Sequence, residues 1–397
     1  MDIVTFAAEG SDAGEALKSQ LIELPEQPAF IAIQCNADCD MSALRSYCRD
    51  QDIAVHGTSS CLGSFTEHGA TNGAVVFAVM DEDGDYGASA MPSAPQNGGQ
   101  SPMRLTAAQA AQAALKQADR PGEAPVLVWL TATPGDEEAV LDGIADIVGP
   151  DVPVIGGSAA DNTVSGDWFI FDAQEQFGSG VVVSVLFPTG PVTFAYQNGY
   201  APTEHSGTVT KADGRVLIEI DDRPAAEVYA EWTDGAVPWS PGAEPRGILS
   251  DSTLWPLGRQ NGDLSGMPSF LLAHPAEVSA DGSLALFASV PEGDTLTQMN
   301  GSADSLVARA GRVANLARTT GRFDRHEVAG ALMVYCGGCM LSVQDRIEEV
   351  VDGVVAELPG APLAGVFTFG EQGPIVGAGN RHGNLMISCV VFGKSEY

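Results

Sequence analysis

Val152-Pro153-Val154-Ile155-Gly156-Gly157-Ser158-Ala159-Ala160-Asp161-Asn162 is a short apolar run that passes into small residues and ends on two polar ones. Upstream, Val126-Leu127-Val128-Trp129-Leu130-Thr131 has the composition of a buried strand. Residues 136–148 between them read as a helix, with acids in the first turn, where the helix dipole favours them. Strands at 168–172 and 180–187 follow. The unit therefore reads strand, helix, strand, glycine loop over 156–162, then strand.

The same succession occurs twice more. Ala29-Phe30-Ile31-Ala32-Ile33-Gln34-Cys35 opens one copy, with a helix over 40–52 that Asp40 would cap. A strand at 53–56, the loop Gly57-Thr58-Ser59-Ser60-Cys61-Leu62-Gly63 and a strand at 73–80 complete it. Ala331-Leu332-Met333-Val334-Tyr335-Cys336 opens the other, with a helix over 342–357, a strand at 362–366, the loop Phe369-Gly370-Glu371-Gln372-Gly373 and a strand at 384–392. A fixed order recurring along a chain marks internal repetition. Between these copies, 190–300 is rich in short apolar runs, with hairpin signals at 211–215 and 279–283 and a short helix at 225–232. Segments 89–102 and 234–247 read as irregular connections.

The fold expected is α/β with mixed sheets, in strand-helix-strand-loop-strand units with an inserted antiparallel β region. The simplest division is 1–190 and 191–397, the latter β-rich over 191–300 and α/β over 301–397.

The chain has 397 residues, 44% of them hydrophobic, enough for a substantial core. Asp and Glu number 52 against 19 Lys and Arg, a formal charge of -33. Such a field repels phosphate backbones and anionic lipid, which excludes nucleic acid and polybasic membrane docking as partners. No apolar window is long enough for a membrane span, and the start, Met1-Asp2-Ile3-Val4, lacks a signal-peptide pattern. A cytoplasmic protein with reduced thiols is expected. One segment breaks the acidic rule. A helix over 302–322 carries Arg309, Arg312, Arg318 and Arg322, and Arg325 follows; Asp304 is its one acid. It reads as a helix neutralised by acidic neighbours or as a partner-docking face.

Few residues suggest named chemistry. Cys336-Gly337-Gly338-Cys339 has redox spacing after a strand, and Cys336 or Cys61 would be the nucleophile of an enzyme. Cys35 and Cys39 could converge with Cys336 and Cys339 on zinc. His382 and His56 are the axial candidates for haem. Ser158, Asp161, Asn162 and Glu371 lie at the ends of core strands, where α/β folds bind ligands.

Several ordered segments resemble the FIST family of sensory modules, which has N- and C-terminal parts. Val154 to Asn162, the Leu254-Trp255-Pro256-Leu257-Gly258 segment, Tyr335-Cys336-Gly337-Gly338, Phe367-Thr368-Phe369-Gly370-Glu371-Gln372-Gly373-Pro374 and the His382 to Phe392 ending carry the likeness across nearly the whole chain. The resemblance implies a cytoplasmic receptor for a small polar metabolite such as an amino acid. It also implies signalling in trans to a histidine kinase, a cyclic-di-GMP enzyme or a chemotaxis protein. Some members bind haem and report nitric oxide. On this reading Ser158, Asp161, Asn162, Cys336, Glu371 and Asn384 would form the ligand pocket, and the protein is a binder more than an enzyme.

Overall fold

The three apolar runs become the central strands of three six-stranded sheets. A computed structural model describes residues 1–94, 101–264 and 267–394. The first unit contributes β1 (Asp2–Ala8), α1 (Ala13–Ile22), β2 (Phe30–Asn36), α2 (Ser42–Asp50), β3 (Ala54–Ser60), the hairpin β4 (Ser64–Thr66) and β5 (Gly69–Thr71), and β6 (Ala74–Met80). The second contributes β7 (Asp85–Pro92), α3 (Pro102–Gln117), β8 (Leu127–Ala132), α4 (Glu137–Val148), β9 (Val154–Ser158), the hairpin β10 (Ile170–Phe171) and β11 (Gln176–Phe177), and β12 (Gly180–Phe187).

The third unit starts with β13 (Val192–Asn198) and is interrupted by an insertion. The insertion holds β14 (Ala201–Asp213), β15 (Val216–Ile220), β16 (Arg223–Pro224), α5 (Ala225–Trp232), β17 (Arg246–Gly247), α6 (Leu249–Ser252), β18 (Leu257–Leu264), β19 (Met267–Ala273), β20 (Pro275–Val278), β21 (Leu284–Leu286) and β22 (Thr295–Asn300). These strands form one antiparallel sheet, as their short apolar runs and turns predict. The unit then resumes with α7 (Ala303–Thr320), β23 (Val328–Cys336), α8 (Gly337–Ser342), α9 (Ile347–Glu357), β24 (Leu363–Thr368), the hairpin β25 (Glu371–Ile375) and β26 (Gly379–Gly383), and β27 (Met386–Gly393).

The repetition is real, down to register. In each unit the two central strands run parallel and the closing strand lies antiparallel on the first. Gly57, Gly156 and Gly365 occupy matching positions, opposite Ile33, Leu130 and Met333. The hairpins are exchanged in a cycle. β4–β5 extends the third sheet beside β24, β10–β11 extends the first beside β3, and β25–β26 extends the second beside β9. Where β3, β9 and β24 end, three backbone hydrogen bonds close a ring through all three units. Cys61 N–H donates to Phe367 O (3.1 Å), Phe369 N–H to Ser158 O (3.1 Å) and Ala160 N–H to Ser59 O (3.2 Å).

The inner faces of the three sheets share a central core that includes Phe30, Phe77, Trp129, Leu332 and Phe392. Helices cover the outer faces, with α1 and α2 on the first sheet, α3 and α4 on the second, and α7 and α9 on the third. The strands are apolar on both sides for this reason, and each large side chain so buried contributes about 1.5–3 kcal/mol.

Much of each glycine segment expected to be a loop is strand. β3 continues to Ser60 and β9 to Ser158, while Glu371 to Ile375 is β25. None of Gly57, Gly156 and Gly365 has a left-handed backbone. They are glycines because something passes close: a Cβ would strike the Phe171 ring, the Leu130 carbonyl and the Phe65 ring respectively. The helix expected over 342–357 starts later, at Ile347, because Val343 leaves helical geometry and is fully buried after α8 ends at Ser342. In the expected connection at 89–102, β7 runs on to Pro92, and 95–100 lie outside the described residues.

Candidate functional site

Ser158 does not face a cavity. Its hydroxyl donates to Glu137 Oε1 at 2.7 Å and accepts from Gln372 Nε2 at 3.3 Å. Glu137, in the first turn of α4, is 2% exposed and takes Arg215 Nη2 on its other oxygen at 2.6 Å. Burial opposes its charge, but the Arg215 guanidinium and the Ser158 hydroxyl outweigh burial and hold the carboxyl below its usual range. Arg215 sits between β14 and β15, so this buried ion pair pins the insertion to the second unit.

Asp161 points inward as a cap. Its carboxylate accepts backbone N–H groups of Thr163, Val164, Ser165, Gly166 and Asp167. Burial works against its ionisation, and these donors overcome burial to lower its pKa. Asn162 joins two units, accepting Leu62 N–H at 2.9 Å and donating to Asn36 Oδ1 at 2.8 Å. Glu371 is fully buried, and its carboxyl accepts the Thr368 hydroxyl (2.9 Å) and Met386 N–H (3.0 Å). Burial, then the neighbouring Cys336, raises its pKa well above the carboxylate range. Asn384 accepts His274 N–H at 3.1 Å and leaves its buried Nδ2 without a partner. Cys336 and Asn384 border a cavity of about 30 Å³ with His274 and Phe369, which is room for water, not a metabolite.

A haem does not fit the histidines singled out. His56 is buried, with Nδ1 2.8 Å from Ser184 Oγ and Nε2 2.9 Å from Thr131 Oγ1. His382 accepts from Gln372 Nε2 at 3.0 Å and donates from Nε2 to Phe287 O at 3.1 Å. Both nitrogens of each ring are engaged, so neither is free for iron. The zinc arrangement also fails. Cys35 and Cys39 pack in the core under α1, Cys336 and Cys339 in the core under α7. Burial pushes the Cys61 thiol up to about 12 and Cys336 well up, leaving neither as a thiolate at neutral pH.

The large cavity lies elsewhere. A cleft of about 980 Å³ opens between the third unit and the insertion. Phe194, Tyr196 and Tyr200 line it from β13 and the following turn, Phe270 from β19, and Met299 from β22. Arg309 and Arg312 of α7 form one wall, and Pro374 and Ile375 of β25 close it. Tyr196 forms the floor: Gly373 and Gly383 approach it so closely that a Cβ on either would meet it. Its hydroxyl donates to Glu371 O at 2.9 Å, and Met386, which also lines the cleft, donates its N–H to the Glu371 carboxyl. Glu371 therefore lies directly beneath the floor. Of the residues expected to bind ligand, none lines this cleft. The signal that pointed to it was the acid-poor helix, whose Arg309 and Arg312 face inward here. Phe194 and Tyr196, two apart on β13, with Tyr200 just beyond it, are a second signal in the sequence.

Comparison with known proteins gives two family matches, the FIST N domain over residues 29–223 and the FIST C domain over 225–374. Uncharacterized proteins of Mycobacterium bovis and Mycobacterium tuberculosis are each 29% identical over 245 residues, 59% of this chain and 59% of the relative. An uncharacterized protein of Methanocaldococcus jannaschii is 34% identical over 90 residues, 22% of this chain and 18% of its own length. The match thus spans under two thirds of the mycobacterial relatives.

Proposed function

The chain belongs to the FIST family, whose domains are associated with sensory signal transduction, and from that premise we propose that it is a cytoplasmic, non-enzymatic receptor for a small molecule. The observation that carries this reading is the 980 Å³ cleft with its aromatic floor on Glu371. Its volume is at the upper end of ligand pockets, about 300–1,000 Å³. One of its walls, β25, belongs to the hairpin lent to the second sheet, while β13 belongs to the third, so a ligand would touch two sheets at once. Ligand binding changes a conformational population only through unequal affinity for two states. A cleft between an insertion and a three-unit body offers two such states, open and closed. The readout is altered contact with a separate signalling partner, such as a histidine kinase, a cyclic-di-GMP enzyme or a chemotaxis protein. No helix among the described residues is long and apolar enough to cross a membrane. Cys336, Glu371 and Asn384 act beneath the cleft in this reading, as supports for its floor.

The test is mass spectrometry of small molecules retained by the purified protein and by Ala201→Trp, which places a bulky ring in the cleft. Wild type should retain a compound that the variant lacks, and that compound should slow hydrogen exchange in β13, α7 and β25. Identical retention by both proteins, or protection confined to regions away from the cleft, contradicts the reading.

A further inference from the structure

Two guanidinium groups in the cleft have no carboxylate opposite them among the described residues. Ser302, Ser305, Arg309, Arg312, Leu316 and Thr320 form one stripe along the cleft wall at helical spacing. The opposite stripe, including Leu306, Ala310, Val313 and Ala317, is buried in the third unit's core. The helix was expected either to be neutralised by acids or to dock a partner, and its two ends behave differently. Arg318 and Arg325 share Glu357, at 3.9 and 3.2 Å. Arg309 and Arg312 make no ion pair among the described residues. Arg309 reaches only the neutral Gln197 Oε1, and its buried Nε has no partner. Among the described residues, the rest of the lining contains no Asp or Glu, in a chain where 52 of 397 residues are acidic. A charge drawn out of water without a counter-ion is costly. Burial first, and then the charge of Arg312, disfavours the Arg309 cation.

We infer that the cleft takes a small organic anion, with a carboxylate or phosphate held by Arg309 and Arg312 and an apolar or aromatic body against Phe194, Tyr196 and Tyr200. The planar guanidinium fork matches both oxyanions. The aromatic side chains supply the surface on which a flat or branched body is desolvated. The chain's strong negative field makes this local reversal of sign a selective one: anions are repelled everywhere except where the two arginines stand. The inference rests on the cleft being the binding site.

The test is calorimetric titration of the full chain with naphthoate, naphthyl phosphate and naphthamide, which share one body and differ in charge. One of the two anions should bind at least tenfold more tightly than the amide, and the better of the two identifies the oxyanion. Arg312→Gln should remove most of that advantage without lowering the thermal midpoint of the unliganded protein, because Arg312 is exposed and unpaired. Arg309→Gln should act in the same direction. Anions that gain nothing over the amide, or variants that keep the full advantage, overturn the inference. If the amide binds and Ala201→Trp abolishes it while charge gives no gain, the cleft reading stands and the anion falls. If none of the three binds, both fall.

Discussion

The Tyr196 hydroxyl donates to the main-chain carbonyl of Glu371 at 2.9 Å, so the floor of the cleft is fastened to the hairpin that completes the second sheet. Tyr196→Phe removes that donor and little else. We expect a loss of about 1 kcal/mol in stability, the usual net value of one hydrogen bond. Ligand should still bind, while ligand-induced protection of β25 and β26 in hydrogen exchange should weaken. Protection equal to wild type would show that the hydroxyl does not transmit the change.

Arg215 neutralises a carboxylate that has almost no access to water. Arg215→Met should cost about 3 kcal/mol in denaturant unfolding, because Glu137 is left charged and buried. Adding Glu137→Gln in the same chain should recover much of that loss, since the orphaned charge is gone. A double variant no more stable than the single one would contradict the account.

Acid should destabilise the fold through its buried imidazoles. Burial lowers His56 to about 3 and His274 to about 4, so the folded protein keeps both neutral while the unfolded chain protonates them near 6.5. Their contribution is whole above about pH 6.5 and is lost as the pH falls towards 3, at up to about 1.4 kcal/mol per unit for each ring. Urea melts at pH 7, 5 and 4 measure the slope. His56→Gln, which can still reach a hydroxyl, should make that slope shallower, and an unchanged slope would remove His56 as a source.

Asp161 organises five successive backbone N–H groups after β9. Asp161→Ala should cost about 2–3 kcal/mol, because those donors lose an ionised acceptor. Limited proteolysis should then cut within 163–167, and Asp161→Asn should lie between the two. Protease resistance equal to wild type would mean that the turn holds without the carboxylate.

The units were legible because their central strands are uninterrupted apolar runs, such as Phe30 to Ile33 and Ala331 to Val334, that only a doubly covered sheet explains. α5 was legible at both ends for local reasons, with Pro224 before it and Thr233 after it. The glycines misled because Gly57, Gly156 and Gly365 serve close approach, and sequence alone does not distinguish that from a turn. The hairpin exchange was invisible: β4 and β10 are two or three residues long and pair with strands of another unit, which no local pattern encodes. The candidate site shows the same limit of local pattern. Asp161, Asn162 and Glu371 do stand at strand ends, but their side chains turn inward to satisfy backbone groups. Which face of α7 meets a cavity depends on how the insertion packs, and so the two arginines could be noted but not assigned.

The exchanged hairpins also govern the order in which the protein can assemble. β4 and β5 leave the ribosome early, yet their partner β24 is among the last strands made; Glu67 caps Leu363 from 296 positions away. β9 likewise keeps an open edge until β25 is synthesised. Loop closure on that scale makes folding slow, and unpaired edges template aggregation while they wait. Separating the chain near residue 190 would leave each piece with an incomplete sheet, so truncated forms should depend on chaperones or precipitate where the intact chain does not.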